Sequence, residues 1–389
     1  MARHPPPDSD EKSGVEMNYS NNAIALVEKL SSQATAIHET LQDPFLDSLA
    51  YSQHERLLEK LKKMDFSSVT RVYLGAHLKH ARSTELNQRF IPLTENFLEV
   101  ASTEMPPGSI VLLLNNDIGK NLMRYVQFYN AHPELLFVIW DWDSQHWLQM
   151  SALLAMHSDY YISASSENTF TLSHFNPHVL GPVFAGVHQW SREFLYRRFD
   201  IMIGRRFETP FGPHVHYEKY PKRSRVVATL AQHFDSVRFA DNQYKAKSEE
   251  ENLREWAGYK SHWIVPVLGG VPIRVYNALI TGGIPILPSH YRNMPEVAGL
   301  GSSPVFYNVH DVLNPDAVIA AAATRFDSED GGGLLQRISE SMARDHVDTR
   351  CAEIVALLRR NISALLDGRG SEVPGHYHAR SFFTLADNR

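Results

Sequence analysis

Cysteine is nearly absent from this chain. The single Cys351 cannot close an internal disulfide, and no Cys/His spacing has the form of a structural zinc site, so the fold must rest on packing in a reducing compartment. Long apolar runs are missing as well. No stretch approaches the roughly 18 residues that span a bilayer, and the first fourteen residues are polar and proline-rich rather than a signal-peptide core. A soluble, cytoplasmic protein is expected. Basic excess is the third absence: 38 Lys and Arg stand against 44 Asp and Glu, a formal net charge of −6. That balance lacks the electrostatic footprint of a nucleic-acid binder, and no nucleic-acid partner is expected.

What remains is a chain of 389 residues with 43% hydrophobic content, enough for two ordinary cores. Residues 1–20, with Pro5-Pro6-Pro7 and mixed charge, read as a disordered tail. Between Asn22 and Met64 apolar residues recur at helical spacing (Ile24, Val27, Leu30, then Leu57, Leu58, Leu61), broken at Asp43-Pro44. The apolar runs Val69–Leu74, Ile110–Leu114, Leu135–Trp140 and Tyr160–Ser163 then read as strands, with Glu85–Ala101, Gly119–Tyr129 and Ser144–His157 as intervening helices. Short apolar strands separated by helices are expected in a parallel sheet covered on both faces. A Rossmann-like first domain, 21–190 with its helical preface, follows.

After a loop-rich passage a second series begins, giving a second Rossmann-like domain over 191–389. Its expected elements are a helix near Tyr217–Phe234, a strand at Ser236–Ala240, a helix opened by the capping-box pair Ser248 and Glu251, and a strand at His262–Val267. The helix of Arg274, a strand at Ile284–Pro288, a loop at Gly331-Gly332-Gly333 and helix over Leu334–Leu366 complete it. The fold class is therefore α/β, with two Rossmann-like domains facing a cleft, where ligands usually bind.

Within that series, residues 264–288 carry the most functional information. An apolar strand enters Gly269-Gly270, then a short helix with Arg274, then Gly282-Gly283 and a second strand. Glycine lets backbone approach a ligand, a helix N-terminus offers N–H groups to an anion, and a guanidinium meets phosphate in a fork. Gly204-Arg205-Arg206, at an expected strand end, is a second place to neutralise a diphosphate. The cluster Lys219, Lys222, Arg223 and Arg225 reads as a solvated helix face. Asp141 and Asp143, directly after a strand, are candidate general bases with His146 as the alternative, while Asp143 or Ser144 is also a suitable helix cap. An Asp-x-Asp triplet also has the form of a divalent-metal site. His77 and His80 after the first strand, and Ser165 and Glu167 after the fourth, occupy equivalent crevice positions suited to hydroxyl contacts. His174 and His178 carry no metal-ligand spacing.

Over Arg274, Tyr276, Ala278, Leu279, Gly282, Ile284 and Pro285 the sequence resembles the nucleotide-sugar-binding region of exostosin-like and related glycosyltransferases of the GT-B fold. Asn277 and Gly283 stand where those proteins usually carry aspartate and cysteine. The resemblance implies metal-independent transfer of a sugar from a nucleotide-activated donor to a hydroxyl of a glycan acceptor. Gly204, Arg205, Arg206, Gly269, Gly270, Arg274, Asn277, Gly282 and Gly283 would bind donor, with Arg274 on phosphate, and His77, Ser165 and Glu167 would meet acceptor. Asp141, Asp143 or His146 would take the acceptor proton. No cofactor or resident metal is implied, since the nucleotide-sugar is a substrate, and a lipid-linked acceptor would bring the protein to a membrane surface. The metal-dependent GT-A enzyme and the non-enzymatic nucleotide- or glycan-binding protein are the alternatives.

Overall fold

A computed structural model describes residues 9–64, 70–83, 85–99, 105–240, 247–301, 303–328 and 333–380, with side chains from residue 22 onward. The first sheet is built from β1 (Thr70–Leu74), β2 (Gln88–Pro92), β3 (Ile110–Leu114), β4 (Leu136–Asp141), β5 (Tyr160–Ser163) and β6 (Val179–Leu180). These strands lie in the order β2-β1-β3-β4-β5-β6, all neighbours parallel. Every residue of β3, β4 and β5 is buried, as the fully apolar runs require of strands covered on both faces. Strand order reverses between β1 and β3. In open α/β sheets the crevice outside the carboxyl ends at such a reversal is the usual ligand position.

The second parallel unit contains β7 (Gly212–His214), β8 (Val237–Phe239), β9 (Ser261–Trp263), β10 (Ile284–Pro288) and β11 (Val305–Tyr307). β9, β10 and β11 form one sheet and β7 and β8 another, and a bridge between Phe211 and His262 links the two. Helix Ile273–Ile280 connects β9 to β10 and buries Val275, Tyr276, Leu279 and Ile280. The final strand, β12 (His376–Tyr377), returns to the first sheet and pairs antiparallel with β6, giving that sheet seven strands.

Several elements differ from expectation. Where a helix was expected over Glu85–Ala101, β2 occupies Gln88–Pro92 and pairs along its length with β1. A short apolar run beside a proline fits an edge strand better than a helix interior. Of the tail expected over 1–20, residues 1–8 lie outside the described residues, and helix Ser9–Leu41 already runs through the rest. The break at Asp43-Pro44 is where expected: the Asp43 carboxylate accepts from Phe45 N at 2.9 Å, capping helix Pro44–Lys63. In the second unit the helix expected over 217–234 spans Pro221–Leu230, opened by its proline. Of the expected glycine loop, residues 331 and 332 are outside the described residues and Gly333 starts a helix.

The C-terminal helical stretch is split. His346 joins Gly333–Asp345 to Val347–Leu366, because Val187 exchanges backbone hydrogen bonds with Asp345 and Val347 and so interrupts the helical ladder. The second of these helices buries Cys351, Ile354 and Leu358 in the core formed by Val72, Leu112 and Val138 of the first sheet. The expected unit 191–389 is therefore not self-contained, since its last helix and strand complete the first core. No helix among the described residues is long and apolar enough to cross a membrane.

Candidate functional site

At the carboxyl ends of β1, β3 and β4, facing the Gly269-Gly270 turn, lies a cavity of about 270 Å³. His77, Asp143, His146, Gly269, Gly270 and Arg274 line it. These six sequence candidates come from three separate segments, and the two parallel units bring them together.

The base of the crevice is the strand-order reversal. Asp117, just beyond β3, turns its carboxylate under the end of β1, where Oδ1 accepts from His77 N at 2.9 Å and contacts His77 Nδ1 at 2.6 Å. Its other oxygen accepts from Leu114 N at 2.8 Å. The Asp117 side chain is wholly buried, whereas that of His77 is 45% exposed. Only glycine fits at position 75, since a Cβ there would sit 1.8 Å from Asp117 Oδ2. A carboxylate on Nδ1 fixes the tautomer and leaves Nε2 as the basic nitrogen of the neutral ring. His77 and Asp117 thus have the geometry of a base and its orienting group.

Beside this pair, Asn115 donates to Asp143 Oδ2 at 2.8 Å and accepts from Trp142 N at 3.1 Å, tying the end of β3 to the loop after β4. Asp141 points elsewhere. Fully buried, it accepts from Ser151, Tyr161 and Asp143 N, and burial raises its carboxyl above the usual range. It staples the β4 loop to the core and does not line the cavity. His146 contacts Tyr220 OH through Nδ1 at 3.2 Å, and burial lowers its pKa despite Asp143. His188 lies between Trp142 and His77, and burial, reinforced by His77 and His80, pushes it down to about 4. It is neutral at physiological pH.

The opposite wall is cationic. Arg223, read from sequence as part of a solvated helix face, turns inward: Nε donates to Val265 O at 3.1 Å and Nη1 to Val215 O at 2.7 Å. Burial, followed by the neighbouring Arg274, pushes its pKa down to about 10. Arg274 sits at the second position of helix Ile273–Ile280. Two guanidinium groups lining one cavity, one of them in the first turn of a helix, form an anion-seeking surface. Lys219 instead lies over the Trp147 ring, 4.1 Å from its centroid, and Lys222 and Arg225 are exposed. The Gly269-Gly270 turn closes against the first unit. A Cβ at Gly269 would meet Glu167 Oε2 at 2.0 Å, and Gly270, at φ +67°, lies against the Gln145 amide.

Compared with known protein families and with curated proteins, the chain matches no family model and no curated protein. The site must therefore be read from its own chemistry.

Other sequence candidates have structural positions. Arg206 is buried and donates to the carbonyls of Met202, Tyr259 and Thr281, clamping the end of the Arg274 helix from behind, while Gly204 and Arg205 are exposed and do not line the cavity. Asn277 is buried on that helix. Gly282 packs against Leu334 and Ile338, and Gly283 against the ring of His262. Ser165 is buried in a turn where its hydroxyl accepts from Glu167 N, and exposed Glu167 reaches only the rim. His80 pairs with Glu249 at 3.3 Å; His174 and His178 are held inside the fold by Phe170 O and His54. A wider opening of about 810 Å³, floored by Lys79, His80 and Glu95, meets the first cavity at His77, Asn116 and His188.

Asp117 and Arg223 are the two residues that sequence reading missed. A glycine immediately after β1, followed by a histidine two residues on, was the available signal for a close approach beneath His77. Nothing in the spacing of Lys219, Lys222, Arg223 and Arg225 marks which of them turns inward.

Proposed function

We propose that the chain transfers a sugar from a nucleotide-activated donor to a hydroxyl acceptor, without a metal, using the cavity between its two parallel units as a GT-B-type active site. The observation that carries this reading is the facing of an arginine pair and a His–Asp pair across one cavity. Arg223, Arg274 and the first N–H groups of helix Ile273–Ile280 would hold the donor diphosphate and stabilise charge as it leaves. The acceptor hydroxyl would enter from the wider opening and give its proton to His77 Nε2, with Asp117 stabilising the imidazolium that forms. Attack of that oxygen on the anomeric carbon, with departure of the nucleoside diphosphate, balances the reaction. Val215 and Val265 hold Arg223 through backbone carbonyls, so the cation is oriented before any ligand arrives.

The metal-dependent alternative needs Asp141 and Asp143 to share an ion. Asp141 already accepts from three donors inside the core, which favours the arginine pair as the diphosphate partner.

Calorimetric titration with UDP, GDP, CDP, CMP and ADP tests the reading. One nucleotide should bind wild type, and Arg223→Ala and Arg274→Ala should each weaken it about 10- to 100-fold, the scale of a lost charge-assisted hydrogen bond. Equal affinity in all three proteins removes the assignment. Release of that nucleotide from its sugar conjugate, with acceptor present, then separates an enzyme from a binding protein.

A further inference from the structure

Helix Ser9–Leu41 runs 33 residues, about 50 Å at the usual rise. From Asn22 to Thr40 every residue but Ala34 is exposed, including Ile24, Leu26, Val27, Leu30 and Ile37. Helices owe most of their stability in water to packing of an apolar face, and exposed apolar stripes mark association surfaces. Ala23, Val27, Leu30, Ala34, Ile37 and Leu41 recur at spacings of four, three, four, three and four. That is the seam of a left-handed coiled coil, with Val27, Ala34 and Leu41 in one class of core position and Ala23, Leu30 and Ile37 in the other.

We propose that this helix pairs with the same helix of a second copy of the chain, antiparallel about a two-fold axis beside Ser32. The residues themselves choose this partner and this direction. Antiparallel layers about Ser32 set Ala23 against Leu41, Val27 against Ile37 and Leu30 against Ala34, so each alanine meets a leucine. A parallel pair would stack Ala23 on Ala23 and Ala34 on Ala34, leaving two underfilled layers. The flanking positions are Ile24, Ser31 and His38 on one side and Leu26, Gln33 and Thr40 on the other. None is Asp, Glu, Lys or Arg, so a second copy brings no like carboxylate or ammonium against its own.

The body of the protein supports the same direction. An apolar groove of about 440 Å³ borders the C-terminal end of the seam, lined by Ile37 and Leu41 with Leu148, Leu153, Met156 and Phe175. The N-terminal end of the seam is widened by Ile24 and Leu26. Antiparallel pairing lays this wide end of one copy beside the groove of the other, twice, as an isologous interface requires.

Sedimentation equilibrium of the full chain at tens of micromolar should give twice the 44.2 kDa chain mass. Leu30→Glu should return it to the single-chain mass while the body still unfolds in a cooperative transition that no longer depends on protein concentration, because Leu30 lies outside the core. Ser31→Cys places its thiol beside its own copy across the two-fold axis and should form an intermolecular disulfide on mild oxidation; buried Cys351 does not compete. In a parallel pair the two Ser31 positions lie on opposite flanks. A monomeric wild type, or a dimer that survives Leu30→Glu, overturns the proposal. A dimer in which Ser31→Cys fails to cross-link overturns its direction.

Discussion

Two carboxylates at equivalent strand ends differ in what their neighbours leave them to do. Asp141 and Asp117 both follow apolar strands, but Asp141 accepts from Ser151 and Tyr161 inside the core, whereas Asp117 reaches under β1 to His77 at the cavity wall. If His77 is the base and Asp117 its positioning residue, Asp117→Asn should lower kcat about 100-fold or more with donor KM little changed. Asp141→Asn should instead act on stability, lowering Tm with the kcat of surviving enzyme near wild type. Equal kcat for Asp117→Asn and wild type would remove the His–Asp pair from the mechanism. Sequence reading singles out Asp141 and passes over Asp117. Which one meets a histidine depends on the order of strands in the sheet, which side-chain periodicity does not encode.

At the scale of elements, the glycines around helix Ile273–Ile280 divide into two kinds. Gly283 touches the ring of His262, which stacks on Trp256 at 5.1 Å between centroids. A Cβ there would lie 2.4 Å from His262 Nε2, and the stack leaves the ring no room to retreat. Gly283→Ala is expected to cost about 1–3 kcal/mol by overpacking, read as a lower urea midpoint. Gly269→Ala displaces only the exposed carboxylate end of Glu167, and should leave that midpoint nearly unchanged while weakening nucleotide binding; the opposite ranking would reverse the two roles. From sequence the helix of Arg274, its glycine turn and the strand Ile284–Pro288 were readable because apolar period and glycine punctuation agree, whereas the strand expected over His262–Val267 is Ser261–Trp263 and the apolar residues after it run on as loop. The β2 strand was not readable, because a three-residue apolar run has no period of its own and only pairing with β1 decides its state.

For the whole molecule, buried histidines set the response to acid. His178, His214 and His262 are buried, and desolvation holds each below its ordinary pKa of 6.5, His262 at about 3. The unfolded chain therefore binds more protons than the folded one once the pH drops below 6.5. Stability is at its full value above that pH and is lost as pH falls toward the folded pKa values, at up to about 1.4 kcal/mol per pH unit for each such histidine. Tm should be nearly level from pH 7 to 8 and fall steadily from pH 6.5 to 5. A Tm unchanged down to pH 5 would mean that these rings are already solvated in the native state.

The sequence by itself determined the α/β class, the helical break at Asp43-Pro44, the capping box at Ser248 and Glu251, and the glycine turn leading to Arg274. Each is a local agreement between side-chain period and backbone chemistry over a few residues. It also placed a helix over the residues after Asn22, because apolar residues recur there at helical spacing. Only the tertiary structure decided that Arg223 rather than Arg205 or Arg206 stands beside Arg274, that Asp117 rather than Asp141 meets a histidine, and that helix Val347–Leu366 completes the first core. These depend on contacts between residues far apart in the chain. Such contacts are fixed by strand order and by which face a helix buries, and no short window of sequence contains either.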